Sequence, residues 1–101
     1  MIISYITCKN QKEAEKISYT LLNRRLAACC NLIQARSLYL WQNKLNKDNE
    51  VIILAKTLDK KFNKIKKEVL KIHSYKVPCI LKIKIEETND KFLTWLKSEV
   101  R

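Results

Sequence analysis

The chain contains no glycine in 101 residues and one proline, Pro78. Any turn that needs left-handed backbone must therefore place it on a residue with a Cβ, and Asn is the residue that accepts this at least cost. The same absence removes the phosphate cradles of P-loops and dinucleotide fingerprints, together with the GxSxG nucleophile elbow. Collagen-like, linker-rich and low-complexity architectures are excluded as well. What remains is a succession of regular elements, read from the period of the apolar residues, within one domain spanning residues 1–101.

Ile2 to Thr7 is rich in β-branched and aromatic residues and predicts a first strand. Asn10 followed by Glu13 resembles a capping box, and Ala14, Ile17 and Leu21 mark one face of a helix ending near Arg25. Arg24 and Arg25 suit the negative end of that helix. Ala27 to Ile33 is nearly continuous and apolar, and Leu38 and Leu40 then alternate with Tyr39 and Trp41, which predicts a long or bent second strand. Gln42, Asn43 and Lys44 break the pattern, with Asn43 the expected left-handed residue. Val51 to Ala55 reads as a third strand covered on both faces, and the two segments form a hairpin whose arms begin around Lys44.

Asp59 is the expected cap of a second helix, whose buried stripe is Phe62, Ile65, Val69 and Ile72 and whose wet side carries Lys60, Lys64, Lys67 and Lys71. Pro78 marks a strand entry. Beyond it Leu81, Ile83 and Ile85 alternate with Lys82 and Lys84, predicting a buried apolar face and a wet lysine face. Thr88 or Asn89 is expected to cap a terminal helix carrying Phe92, Leu93, Trp95 and Leu96. The order β-α-β-β-α-β plus a helix predicts an α+β, ferredoxin-like split βαβ fold with two helices on one face of an antiparallel sheet. The uncovered face and the open edges then call for a partner subunit or a ligand.

Lys and Arg number 21 against 10 Asp and Glu, a formal charge of +11 that would attract nucleic acid or acidic partners if gathered on one face. The excess is mostly lysine, 17 against 4 arginines, a bias that an AT-rich genome produces without functional demand. An RNA-recognition sheet needs an aromatic-rich string on its open face, and KIKIEE at Lys82 to Glu87 offers none. Nucleic acid is thus not the expected partner. No apolar run approaches the roughly 20 residues that span a bilayer, and a basic leader is absent at Met1, so a soluble cytoplasmic protein without membrane contact is expected.

Cys8, Cys29, Cys30 and Cys79 show no zinc spacing, and neighbours Cys29 and Cys30 would face opposite sides of a strand, so neither a chelate nor a disulfide framework is indicated. His73 is the single histidine, which rules out a two-histidine metal site within one chain. No pair of carboxylates has a catalytic spacing. Glu50, beside a buried strand, is the acid that stands out, and nothing specifies an enzyme.

Several strings in the right order resemble the CutA family of divalent-cation tolerance proteins: EAEKI at Glu13 to Ile17, RLAAC at Arg25 to Cys29 with Asn31 after it, and RSLYLW at Arg36 to Trp41. Lys44, Glu50-Val51 and Lys56-Thr57 also match, as do HSYKVP from His73 and FLTWL at Phe92 to Leu96. The resemblance covers nearly the whole chain. It implies a homotrimer whose sheet edges pair between subunits through the long hairpin, with Tyr39, Trp41, Glu50, Lys56 and Tyr75 at the clefts between subunits. It further implies a non-enzymatic role in tolerance of copper and other divalent cations. Ile6 and Ile72 stand where copper-binding members carry a cysteine and the first of two histidines, leaving His73 alone. Ser74, Lys76 and Cys79 replace a proline and two carboxylates. The resemblance thus implies no resident cofactor, and at most a weak copper or other divalent site at His73, with Cys8 or Cys79 as soft partners. A likeness of fold to PII regulators raises a second reading, a trimer that senses a small metabolite.

Overall fold

The computed structural model describes all residues, Met1–Arg101. In chain order it holds β1 (Ile2–Cys8), α1 (Gln11–Asn23), β2 (Cys29–Trp41), β3 (Lys44–Thr57), a 3-10 turn (Asp59–Lys61), α2 (Phe62–Ile72), β4 (Ile80–Lys84) and α3 (Asp90–Glu99). The strands form one antiparallel sheet in the order β2-β3-β1-β4, the ferredoxin-like arrangement expected from the element order. β2 and β4 are its edges.

Helix α1 starts where the Asn10 side chain accepts the Glu13 amide at 2.9 Å. Glu13 does not return the bond to Asn10; its carboxylate accepts the Lys9 amide instead, at 3.0 Å. At the other end Arg25 takes φ 58°, its amide donating to the Leu22 carbonyl at 3.0 Å and that of Leu26 to Leu21 at 2.9 Å. This is the Schellman closure, with buried Leu21 and Leu26 supplying its apolar contact. An arginine occupies the left-handed site because no glycine exists to take it. The hairpin pairs Trp41 with Lys44 and leaves Gln42 and Asn43 as a two-residue loop, at φ 51° and 62°. Asn43 is left-handed as expected; Gln42 joins it because a two-residue loop that matches strand twist needs positive φ at both positions.

Period two sorts the sheet residues onto two faces. Ile2, Ser4, Ile6 and Cys8 of β1 and Val51, Ile53 and Ala55 of β3 point to the helices and are buried. With Ala14, Ile17 and Leu21 of α1 and Ile65 and Val69 of α2 most of them form the core. The opposite face carries Ile52 and Leu54 only half-buried, so β3 is covered on one side within the chain, not on both.

β4 departs further from expectation. Its pairing puts Lys82 opposite buried Ser4 on the helix side, whereas Leu81 and Ile83, 49% and 41% exposed, lie on the open face. The lysine is tolerated there because its ammonium sits over the Phe62 ring, 5.1 Å from the centroid, and meets Asp59 at 2.8 Å. Asp59 is thereby spent on Lys82 and does not cap α2, whose N-terminus has no side-chain cap. Asn89 precedes α3, likewise without a capping bond. That helix docks through buried Leu96 and Val100, a bond from the Arg101 amide to the Arg25 carbonyl at 3.1 Å and an Arg25–Glu99 ion pair.

Beyond the helices the hairpin runs on, giving the chain a longest extent of 45 Å against 26 and 21 Å across. Along that arm Leu38, Leu40, Trp41 and Leu45 are exposed, 60%, 78%, 46% and 67%. The outer edge of β2, 13 residues long, has no strand beside it. No helix is long and apolar enough to cross a membrane.

Candidate functional site

The segment leaving α2 bridges the two faces of the sheet. The His73 amide closes the helix on the Val69 carbonyl at 2.9 Å, and the backbone then turns extended. The ring reaches the end of β1, where Nε2 lies 2.8 Å from the Thr7 carbonyl. Nδ1 accepts the Tyr75 amide at 3.1 Å, so the ring proton sits on Nε2 and is donated to Thr7. Tyr75 packs obliquely on the imidazole, ring centroids 4.9 Å apart.

On the helix side this segment meets Glu13, 8% exposed, whose Oε2 accepts the Ser74 amide at 2.9 Å while Oε1 holds Lys9. Burial pushes this carboxyl up, but hydrogen bonds from Ser74 and the Lys9 amide and the adjacent His73 ring outweigh it, leaving it below the ordinary carboxylate range. Cys8 completes the group: one donor atom from each of Cys8, Glu13 and His73 falls within 4.8 Å of the others. Burial, reinforced by the charges of Glu13 and Glu50, pushes the Cys8 thiol up to about 12.

A thiol, an imidazole and a carboxylate are donor types that suit a soft or borderline divalent ion. As folded, though, both imidazole nitrogens and both Glu13 oxygens are engaged with backbone groups, and the thiol holds its proton. The residues fit an ion only after those bonds are surrendered, which makes the group a weak site. Of the two sulfurs expected beside His73, Cys8 is the one brought to it.

On the open face the same segment meets Glu50, also 8% exposed, whose Oε2 accepts the Tyr75 hydroxyl at 2.6 Å. Burial, together with the Glu50 hydrogen bond and charge, pushes the Tyr75 phenol well above its ordinary value. Around this pair lies a cleft of about 590 Å³, lined by Tyr39, Trp41, Ser37, Ser74, Lys76 and Cys79 among others. The Tyr39 hydroxyl is fixed by the Asp48 carboxylate, which pushes that phenol up as well. Tyr39, Trp41, Glu50 and Tyr75, expected at clefts between subunits, line one cleft within the chain; Cys79 lines it too and stands apart from His73's donor group. Lys56 is not among them. It lies along β3 from Glu50 by roughly 20 Å at ordinary strand rise. Its ammonium stands 5.5 Å from the Phe92 ring centroid.

Glu13 escaped notice in the sequence because its spacing from Asn10 explained it as a helix cap, and its long-range partners in the 73–75 segment leave no local signature. On the helix side a second cavity is lined by Arg24, Lys64, Lys67 and Lys71 around Glu68. Glu68 pairs with Arg24 at 3.1 Å and with Lys71 at 3.3 Å. Such exposed contacts are of small value and mark a solvated surface.

The fold and this geometry define an α+β protein of the ferredoxin-like class with a ligand-sized cleft at the base of a projecting hairpin. Residues 2–99 match the family model of the CutA1 divalent ion tolerance protein, and the chain belongs to that family. It is 38% identical over 101 residues to the divalent-cation tolerance protein CutA of Pyrococcus horikoshii, covering 100% of this chain and 99% of that protein. Protein CutA of Homo sapiens is 34% identical over 95 residues, 93% of this chain and 53% of the human protein. Among solved structures, the periplasmic divalent cation tolerance protein CutA from Archaeoglobus fulgidus superposes with a TM-score of 0.97 at 37% identity, covering 100% of both chains. CutA1 from Pyrococcus horikoshii gives 0.96 at 37% identity, covering 100% of this chain and 99% of that one.

Proposed function

We propose that this chain, one domain over residues 1–101, works as a homotrimeric, cytoplasmic binding protein in tolerance of divalent cations, copper among them, and without catalysis. The observation that carries the reading is the unfinished sheet. A bare 13-residue edge on β2 and an apolar open face leave backbone donors and hydrocarbon in water, and a second copy laid along the edge satisfies both. Only 22 of 101 residues are buried, so subunit packing has much to add to a small core. Three subunits are what the CutA resemblance implies, with the lysines outward so that copies of a +11 chain tolerate one another. Non-catalytic binding is supported by His73, whose two nitrogens are held by backbone groups, leaving no free base beside a nucleophile.

In this reading the cleft beside Glu50 and Tyr75 takes the ligand, and the Cys8–Glu13–His73 group is where copper or zinc is held, weakly. Light scattering at low micromolar concentration tests the assembly: three times the chain mass is expected, and a stable monomer overturns it. Copper and zinc calorimetry tests the metal. Weak binding that strengthens as pH rises is expected, because the Cys8 proton must leave, and Cys8→Ser should reduce it while sparing both His73 bonds. Equal heats from native protein and Cys8→Ser, or no heat from either, would remove the metal from this group.

A further inference from the structure

We propose that the cleft between the hairpin base and the 73–79 segment is a binding site for a small organic ammonium ion with an apolar body. The inference rests on the reading of this chain as a protein whose ligand enters that cleft, and it names the ligand's chemistry. Glu50 is the one carboxylate on the lining and is more than nine-tenths buried. Its Oε2 is taken by Tyr75, but no group of the chain donates to Oε1, which still touches the open space. A carboxylate oxygen that faces the cleft with no donor from the chain is best met there by an N–H on a cation.

The walls favour the same ligand. Trp41, Tyr39 and Tyr75 present aromatic rings, whose faces attract cations, while Leu38 and Val77 offer hydrocarbon. Both phenols are committed as donors, to Asp48 and to Glu50, so their oxygens stay oriented as acceptors. Lys76 is the single cation on the lining and lies exposed at its margin. A divalent metal would find one carboxylate here where hard ions need several oxygen ligands. An anion would meet Glu50 directly. The volume suits a molecule of modest size, as small-ligand sites of about 300–1,000 Å³ do.

The test uses 2-phenylethylammonium against its neutral isostere 2-phenylethanol, followed by indole fluorescence and by heats of binding on the intact chain. Saturable binding of the amine, about tenfold or more tighter than the alcohol, is expected. Glu50→Gln should bring the amine down to the level of the alcohol. Equal affinity of native protein for the two, or no saturable binding of the amine, overturns the proposal without recourse to any variant. Tyr75→Phe, which frees Oε2 and keeps the ring, should hold the amine at least as tightly as native protein; loss of binding there with the fold intact would also overturn it. Light scattering on the same samples reads the assembly separately, so a trimer that ignores the amine defeats this inference alone, and a monomer defeats the broader reading.

Discussion

Glu13 and Glu50 are carboxylates of equal burial, 8% exposed, on opposite faces of one sheet, and the segment from His73 to Tyr75 touches both. Their difference lies in what the second oxygen meets. Glu13 has both oxygens filled by backbone amides, those of Lys9 and Ser74, and so fastens the start of α1 to the end of α2. Glu50 gives one oxygen to a phenol and keeps the other toward a cleft. Burial alone does not separate a structural acid from a binding acid; the count of donors does.

Removing Glu13 should have the largest effect. Glu13→Ala strands two amides, one of them the long-range link from Ser74 back to α1. The substitution is expected to cost about 2–3 kcal/mol in denaturant unfolding at fixed protein concentration. A cost below that of Glu50→Ala would invert the comparison. Acid titration sharpens it. Because the folded Glu13 carboxyl lies below its unfolded value, its stabilisation is complete above the unfolded pKa of about 4.3 and is lost as pH falls through the lower folded value. Unfolding free energies measured across the acid range up to neutrality should therefore fall more steeply toward acid for native protein than for Glu13→Gln. Parallel curves would show that Glu13 is not held in its charged form.

On the other face, Tyr75→Phe removes one phenol hydrogen bond. That loss should cost about 1 kcal/mol. Glu50→Gln keeps an acceptor for Tyr75 and can present an N–H to the cleft, so its effect on unfolding should stay within about 0.5 kcal/mol. If Glu50→Gln destabilises as strongly as Glu13→Ala, Glu50 is a structural acid too, and the distinction between the faces disappears.

Much of the fold is legible in local pattern. The cap at Asn10, the apolar stripe of α2 and the hairpin break at Gln42 and Asn43 all follow from spacing, because they depend on neighbours a few residues apart. β4 shows where this fails. LKIK alternates strictly, and its hydrophobic residues resemble an inward set, yet strand register puts Lys82 beside Ser4 and turns Leu81 and Ile83 outward. Alternation tells that two faces exist without telling which one the helices cover. The cleft was partly legible: Tyr39, Trp41, Glu50 and Tyr75 came from the family strings, whereas Lys56 does not line this cleft within one chain and the role of Glu13 was hidden behind its capping position.

By itself the sequence determined the elements, their order and hence the split βαβ sheet, since periods and turn residues act over short distances. Its family strings determined the kinship as well. Only the tertiary structure decided that His73 has no free nitrogen, that Cys8 and not Cys79 stands beside it, and that two glutamates of equal burial differ in their donors. Those facts rest on contacts between residues far apart in the chain, Thr7 with His73 and Glu13 with Ser74, which hydrogen-bond geometry fixes and no local pattern encodes.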